Sequence, residues 1–295
     1  GYNAGTGGNN QDIDGIVAVG SEALNSIDNN GADGAVAVGR SALSSLTSGA
    51  ANTAVGYQAL DATDDGDNNT AVGYDALGAN CGDNNTAVGK DAGKIITGSW
   101  NTVIGESAGN AITAGSTNTC VGVSTDCAAT SNNQIAIGNG AVTDGQNKGR
   151  WGNASIDTNN IQTDWTVDSD VRIKKDIEDS NIGLSFIDAL KTRRYKKRHP
   201  SEYDAEILEP RYKKGGFNYD DDKDEIIKDE FDDNKVWDGL IAQEVKTVMD
   251  DLDVEFSGWS EDSKGKQGIQ YSTLVVPLIK AVQELSARVK ELESK

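Results

Sequence analysis

Asn52-Thr53-Ala54-Val55-Gly56-Tyr57-Gln58-Ala59-Leu60 returns as Asn69-Thr70-Ala71-Val72-Gly73-Tyr74-Asp75-Ala76-Leu77. Shorter copies read Asn85-Thr86-Ala87-Val88-Gly89 and Asn101-Thr102-Val103-Ile104-Gly105. The glycine closing each Val/Ile-Gly pair falls at Gly20, Gly39, Gly56, Gly73, Gly89, Gly105, Gly122 and Gly138, with spacings of 19, 17, 17, 16, 16, 17 and 16 residues. Self-similarity at a short, fixed period marks a solenoid or roll: one unit cannot bury its apolar face, but stacked units can, and so can three chains side by side. Each unit holds a β-prone run, a glycine, a second short apolar run such as Ala59-Leu60, and a polar loop rich in Asn, Asp and Gly. One strand or two fit in such a unit. Small Ala and Gly suit an interior where coils or subunits come close. The sequence therefore predicts a β-roll or β-solenoid over residues 1–143.

Three side features of the repeat have their own readings. Thr53, Thr70, Thr86, Thr102 and Thr119 recur once per unit and could form a ladder along one face. An ice-binding surface can be built that way, but β-propensity and cross-strand packing account for the threonines more simply. The run Asp64-Asp65-Gly66-Asp67 offers carboxylates to calcium, yet lacks the Asp-x-Asp-x-Asp-Gly order with a closing Glu, so it reads as a solvated turn. Cys81, Cys120 and Cys127 give no even disulfide framework and no CxxC pair, and read as small apolar fillers. Neither a metal nor a cofactor is expected.

Composition narrows the partners. A formal net charge of −20 over 295 residues argues against nucleic acid and anionic membrane surfaces. No apolar run approaches the roughly 20 residues that span a bilayer, and the start has no signal-peptide pattern. The chain opens inside the repeat at Gly1-Tyr2-Asn3-Ala4, as a piece of a longer protein would. The single histidine, His199 beside Pro200, leaves no room for a His-based triad or a His-rich metal site.

Residues 144–168 form a junction. Trp151 and Trp165 bracket a polar segment and read as packing anchors at a subunit junction. Composition then changes within a few residues to mixed charge and helical patterning, which marks a domain boundary. Ser180-Asn181 reads as a helix N-cap, with Ile182, Phe186, Ile187 and Leu190 on one face. A basic strand follows over Arg193–Arg198, with the neighbouring acidic run as its internal partner. That run, 219–233, reads as a mobile surface insertion. Residues 239–249 read as a helix with Ile241, Val245, Val248 and Met249 in line. At the end, Val275, Val282 and Val289 are spaced by seven, as are Leu278, Leu285 and Leu292. That is an a/d heptad seam, hence a short coiled-coil helix, with Pro277 confined to its first turn. Val at a and Leu at d would by themselves favour two strands.

Ser169-Asp170-Val171-Arg172-Ile173-Lys174-Lys175-Asp176-Ile177 opens this second region. It resembles the opening of the endosialidase-type intramolecular chaperone domain that closes many bacteriophage tail fibres and tailspikes. The resemblance continues at Gly239-Leu240-Ile241-Ala242-Gln243-Glu244-Val245. It resumes at Tyr271-Ser272-Thr273-Leu274-Val275-Val276-Pro277-Leu278 and Ala281-Val282-Gln283-Glu284-Leu285. It covers 169–295, with an atypical middle. The repeats resemble head repeats of trimeric autotransporter adhesins and shaft or head repeats of phage fibres. These resemblances imply a small α+β chaperone module, a homotrimer rather than a dimer, and single-turnover self-cleavage between Asp168 and Ser169. Ser169 would be the nucleophile and Lys174 its base, with Asp170 and Arg172 holding the loop through an ion pair. They also imply a place in the virion tail, or alternatively a cell surface, and a host receptor that is a glycan or a surface protein. A structural fibre or adhesin whose module trimerises without cutting is the main rival. A carbohydrate-cleaving tailspike finds little support, since no paired carboxylates stand out in the repeat.

Local geometry poses a problem for the dyad. Residues five apart face opposite sides of a strand and lie about 140° apart around a helix. A turn must intervene, or the dyad must form between subunits.

Overall fold

The computed structural model describes residues 1–295 except 7–14, 28–31, 157–159, 161–167, 217, 229–231, 233 and 263. The chain divides into two compact units, Gly1–Asp157 with Leu208–Asp229, and Thr158–Ile207 with Glu230–Lys295.

The first unit is a parallel β-solenoid of about eight coils. Its three-residue strands are β1 (Val17–Val19), β2 (Val36–Val38), β3 (Thr53–Val55), β4 (Thr70–Val72), β5 (Thr86–Val88), β6 (Thr102–Ile104), β7 (Thr119–Val121), β8 (Ile135–Ile137) and β9 (Gly149–Trp151). They form one sheet in chain order. Register is fixed residue by residue, with Thr53 on Thr70, Thr70 on Thr86, Thr86 on Thr102 and Thr102 on Thr119. Strand alternation points the middle residue inward, so Ala54, Ala71, Ala87, Val103 and Cys120 are fully buried while their Thr and Val/Ile neighbours face outward.

The second apolar run of each coil is a corner rather than a strand. Leu24, Leu43, Leu60 and Leu77 are buried in the left-handed region, with φ of 49–53°. Such a backbone is costly for a leucine and persists because the core over-determines it. The corner still bonds to the next coil, Leu60 N–H donating to the Ala76 carbonyl at 3.0 Å. The glycine after each strand is required by contact as well as by φ. Gly56 has φ of +146°, and a Cβ there would lie 2.2 Å from the carbonyl oxygen of Gly73 in the next coil.

A second regularity runs inside the stack. Asn52, Asn69, Asn85, Asn101, Asn118 and Gln134 are buried, one per coil. The side-chain oxygen of each Asn accepts the backbone N–H of its successor, at 2.8 Å for Asn69 and Asn85, 2.9 Å for Asn101, 3.0 Å for Asn118 and 3.1 Å for Gln134. The Asp-rich loop adds bonds between coils outside the core. Asp67 accepts the Ala50 N–H at 2.7 Å, and Asp64 accepts from Asn80 at 2.8 Å.

The last coil is closed by chain from far along the sequence. Glu209 accepts the Ala154 N–H at 3.1 Å and lies 3.7 Å from the Arg150 guanidinium. Arg211 donates to Glu209 at 2.9 Å and to Ser155 Oγ at 2.9 Å, and its guanidinium lies 4.4 Å from the Tyr212 ring centroid. Arg211 and Tyr212 are buried. The hairpin of β11 (Tyr219–Asp220) and β12 (Glu225–Ile226) follows in the same unit. Within the described part of the acidic run this hairpin is pinned by Lys223–Asp220 at 2.8 Å and by Tyr219 donating to Asp224 at 2.8 Å.

The second unit has its own core of Ile182, Phe186, Val245, Met249 and Phe256. Around it lie α1 (Leu184–Ala189), β10 (Arg193–Lys196) paired antiparallel to β13 (Val236–Gly239), α2 (Ala242–Leu252), the β14 (Trp259–Glu261)–β15 (Gln267–Ile269) hairpin and α3 (Val275–Glu293). Three local expectations are corrected. The cap of α1 is not Ser180 or Asn181: Gly183 precedes the helix, and the Leu184 N–H donates to Glu284 of α3 at 2.9 Å. A Cβ on Gly183 would meet that carboxylate at 2.6 Å, so the glycine makes room for a cap from a distant helix. Second, α2 begins at Ala242, because Gly239 ends β13 and Ile241 keeps an extended backbone. Third, the described partners of the basic strand are Glu244, bound bidentately by Arg193, Asp238, 3.9 Å from Arg194, and Asn234, 3.2 Å from Lys196. Pro277 is third in α3, where the missing N–H costs nothing.

Candidate functional site

The loop after Asp168 solves the spacing problem with one turn. Val171–Ile173 is a single 3-10 turn, with Asp170 as its N-cap accepting the Arg172 N–H at 2.8 Å. The turn reverses the chain, and Lys174 Nζ donates to Ser169 Oγ at 2.7 Å. The Arg172 guanidinium grips the Asp170 carboxylate from two nitrogens, at 3.0, 3.1 and 2.6 Å. This pairing holds the Asp170 carboxyl below the usual carboxylate range. Ser169 thus meets Lys174, and Asp170 meets Arg172, each pair within one chain.

What the loop lacks is cover. Ser169, Asp170, Arg172 and Lys174 are exposed in the single chain. So are Val171 at 66 %, Ile173 at 66 % and Ile177 at 67 %, three aliphatic side chains in nine residues. A lysine serves as a base only where burial disfavours its charge. His199 lies elsewhere: it caps the turn Pro200–Glu202 by accepting the Ser201 N–H at 3.1 Å, a structural task.

Two other surfaces are apolar and open. On α3, Val275, Leu278, Val282, Leu285, Val289 and Leu292 are all exposed, at 46–69 %. On the solenoid, Val55, Val72, Val88 and Ile104 stand in register beside the outward threonines, each 37–39 % exposed. Trp151 on β9 is 51 % exposed, and Trp165 lies outside the described residues. The missed regularities are the buried Asn ladder and the Glu209–Arg211 closure. An Asn stands before every Thr-Ala-Val run and signals the first; nothing local to 209–212 signals the second.

Fold and surfaces define a parallel β-solenoid joined to an α+β unit that ends in a 19-residue helix with an unpartnered apolar stripe. No helix among the described residues is long and apolar enough to cross a membrane. No protein-family model matches the chain, and no curated protein matches its sequence.

Proposed function

We propose that the chain is a segment of a phage tail fibre or tailspike whose C-terminal unit, an intramolecular chaperone, directs homotrimer assembly and then cuts the Asp168–Ser169 bond. The observation that carries this reading is the 2.7 Å contact of Lys174 with Ser169 in the loop singled out by the resemblance. The α3 stripe and the outward Val/Thr face support association, because three copies would cover both.

Assembly does chemical work in this scheme. Covering Val171, Ile173 and Ile177 takes Lys174 out of water, which shifts it toward the neutral amine. Lys174 then removes the Ser169 hydroxyl proton, and Oγ attacks the Asp168 carbonyl carbon. The peptide bond breaks, leaving an ester between Asp168 and Ser169 and a free amine on Ser169. Water hydrolyses the ester, restoring the hydroxyl and freeing the Asp168 carboxylate. Cleavage thereby reports that assembly is complete. The matured fibre would sit in the virion tail and bind a host-surface glycan or protein.

Intact mass of freshly purified protein tests this. Two fragments ending at Asp168 and beginning at Ser169 are expected, and Ser169→Ala should stay whole. Processing of that variant at the same bond would remove the nucleophile assignment. The open dyad of the single chain favours one rival, a fibre or adhesin whose module trimerises without cutting; a trimer of undiminished mass would establish it.

A further inference from the structure

The buried thiols of the seventh coil form a pair. Cys120 is the inward residue of β7, fully buried. Cys127 lies seven residues on, 1 % exposed, just past the corner of the same coil. Four residues past their glycines, earlier coils place Leu60 and Leu77; this coil has Asp126 there, and the inward place passes to Cys127. The two sulfurs lie 2.7 Å apart. Two apolar fillers would not approach so closely, and a disulfide at about 2.0 Å needs only a small further movement. Cys81 lies in another coil, its sulfur 3.3 Å from Thr63 Oγ1.

We propose that Cys120 and Cys127 are an oxidisable pair that closes to a disulfide inside the seventh coil, with a low-molecular-weight disulfide such as oxidised glutathione as the oxidant. The Cys120 thiol shares its proton with the Cys127 sulfur, which pushes Cys120 up and holds Cys127 below the ordinary thiol range. Cys127 is therefore the attacking sulfur. Its thiolate displaces one glutathione thiolate and forms a mixed disulfide. The Cys120 thiolate then attacks the Cys127 sulfur and expels the second glutathione. Two protein thiols are oxidised and one glutathione disulfide is reduced to two thiols, which take up the two protons that the protein thiols lose. The bond links β7 to its own corner, so it staples one coil without joining coils or chains.

Thiol counting tests this on the whole chain. Protein is incubated with oxidised glutathione, one sample folded and one in sub-denaturing urea that opens the stack transiently. Both are then fully denatured in excess maleimide without reductant. One label per chain is expected, on Cys81, against three after reduction, and the unlabelled oxidised chain should be about 2 Da lighter than the reduced one. Cys81→Ala should take no label, and Cys127→Ser should take two. Three labels on the wild type in both samples would overturn the proposal. A glutathione adduct of about 305 Da on Cys127 that never resolves would overturn it too, since the second thiol would then be out of reach.

Discussion

Replacing Asn85 with Ala should destabilise the solenoid more than any change on its surface. Asn85 Oδ1 accepts the buried Asn101 backbone N–H at 2.9 Å and the Asn101 side chain at 3.1 Å. Its Nδ2 donates to the carbonyls of Gly82 at 3.0 Å and Gly98 at 2.9 Å. Alanine leaves the Asn101 N–H and the Gly82 and Gly98 carbonyls without these partners. An unsatisfied buried group costs about 1–3 kcal/mol, so with this N–H buried and the two carbonyls half-buried the change should cost about 2–6 kcal/mol. The exposed Asn80, which donates to Asp64 at 2.8 Å, provides the comparison: Asn80→Ala should cost under about 1 kcal/mol. The assay is guanidinium unfolding followed by far-UV circular dichroism, with both changes in the Ser169→Ala background so that chain length is constant. Equal midpoints for the two variants would refute the idea that the ladder holds neighbouring coils together.

Leu285→Asp should prevent trimer formation, since it would bury a charge at three facing positions at a cost of several kcal/mol; light scattering should find monomers or aggregates, and a trimer of unchanged stability would sink the seam. Asp126 gives a pH signature. Burial pushes its carboxyl up to about 7 from 3.8, so between those values the folded chain holds a proton that the unfolded chain releases. Its contribution to stability must fall as pH rises from about 4 to about 7 and stay low above that. The stability of wild type relative to Asp126→Asn should decline over that range in denaturant titrations; parallel curves would exclude Asp126 as the source. Residues 1–168 expressed alone should aggregate, whereas the same residues matured from the full chain should stay trimeric and resist heat; matching melting and size for the two samples would remove the chaperone role.

The repeat was legible because its signals are local. A three-residue run with alternating exposure, closed by a glycine at fixed spacing, specifies a coil without knowledge of its neighbours. The Asn ladder was half legible: the residue recurs two places before each inward residue and so shares its face, but its bonds to the next coil's backbone depend on how the coils stack. The dyad geometry was left open between an intervening turn and a pairing across subunits, because ideal strands and helices do not contain the answer; one 3-10 turn between Asp170 and Lys174 supplies it within the chain. What stayed out of sight depends on distance along the chain. Glu284 caps a helix 100 residues away, and Glu209 meets Ala154 across 55. No windowed pattern carries such pairings.

The closure of the last coil gives the proposed cut an unusual outcome. Arg211, Tyr212 and the carboxylate of Glu209 seal the solenoid, yet they are encoded on the far side of Asp168–Ser169. The covalent boundary and the folding boundary do not coincide. Hydrolysis would turn one polypeptide into two that still share one compact unit, as a nicked protein does. The plug would then be held without a covalent link, by Glu209 on Ala154 and Arg150 and by Arg211 on Ser155, beside a final rung, Gly149–Trp151, that among the described residues pairs only with the strand before it.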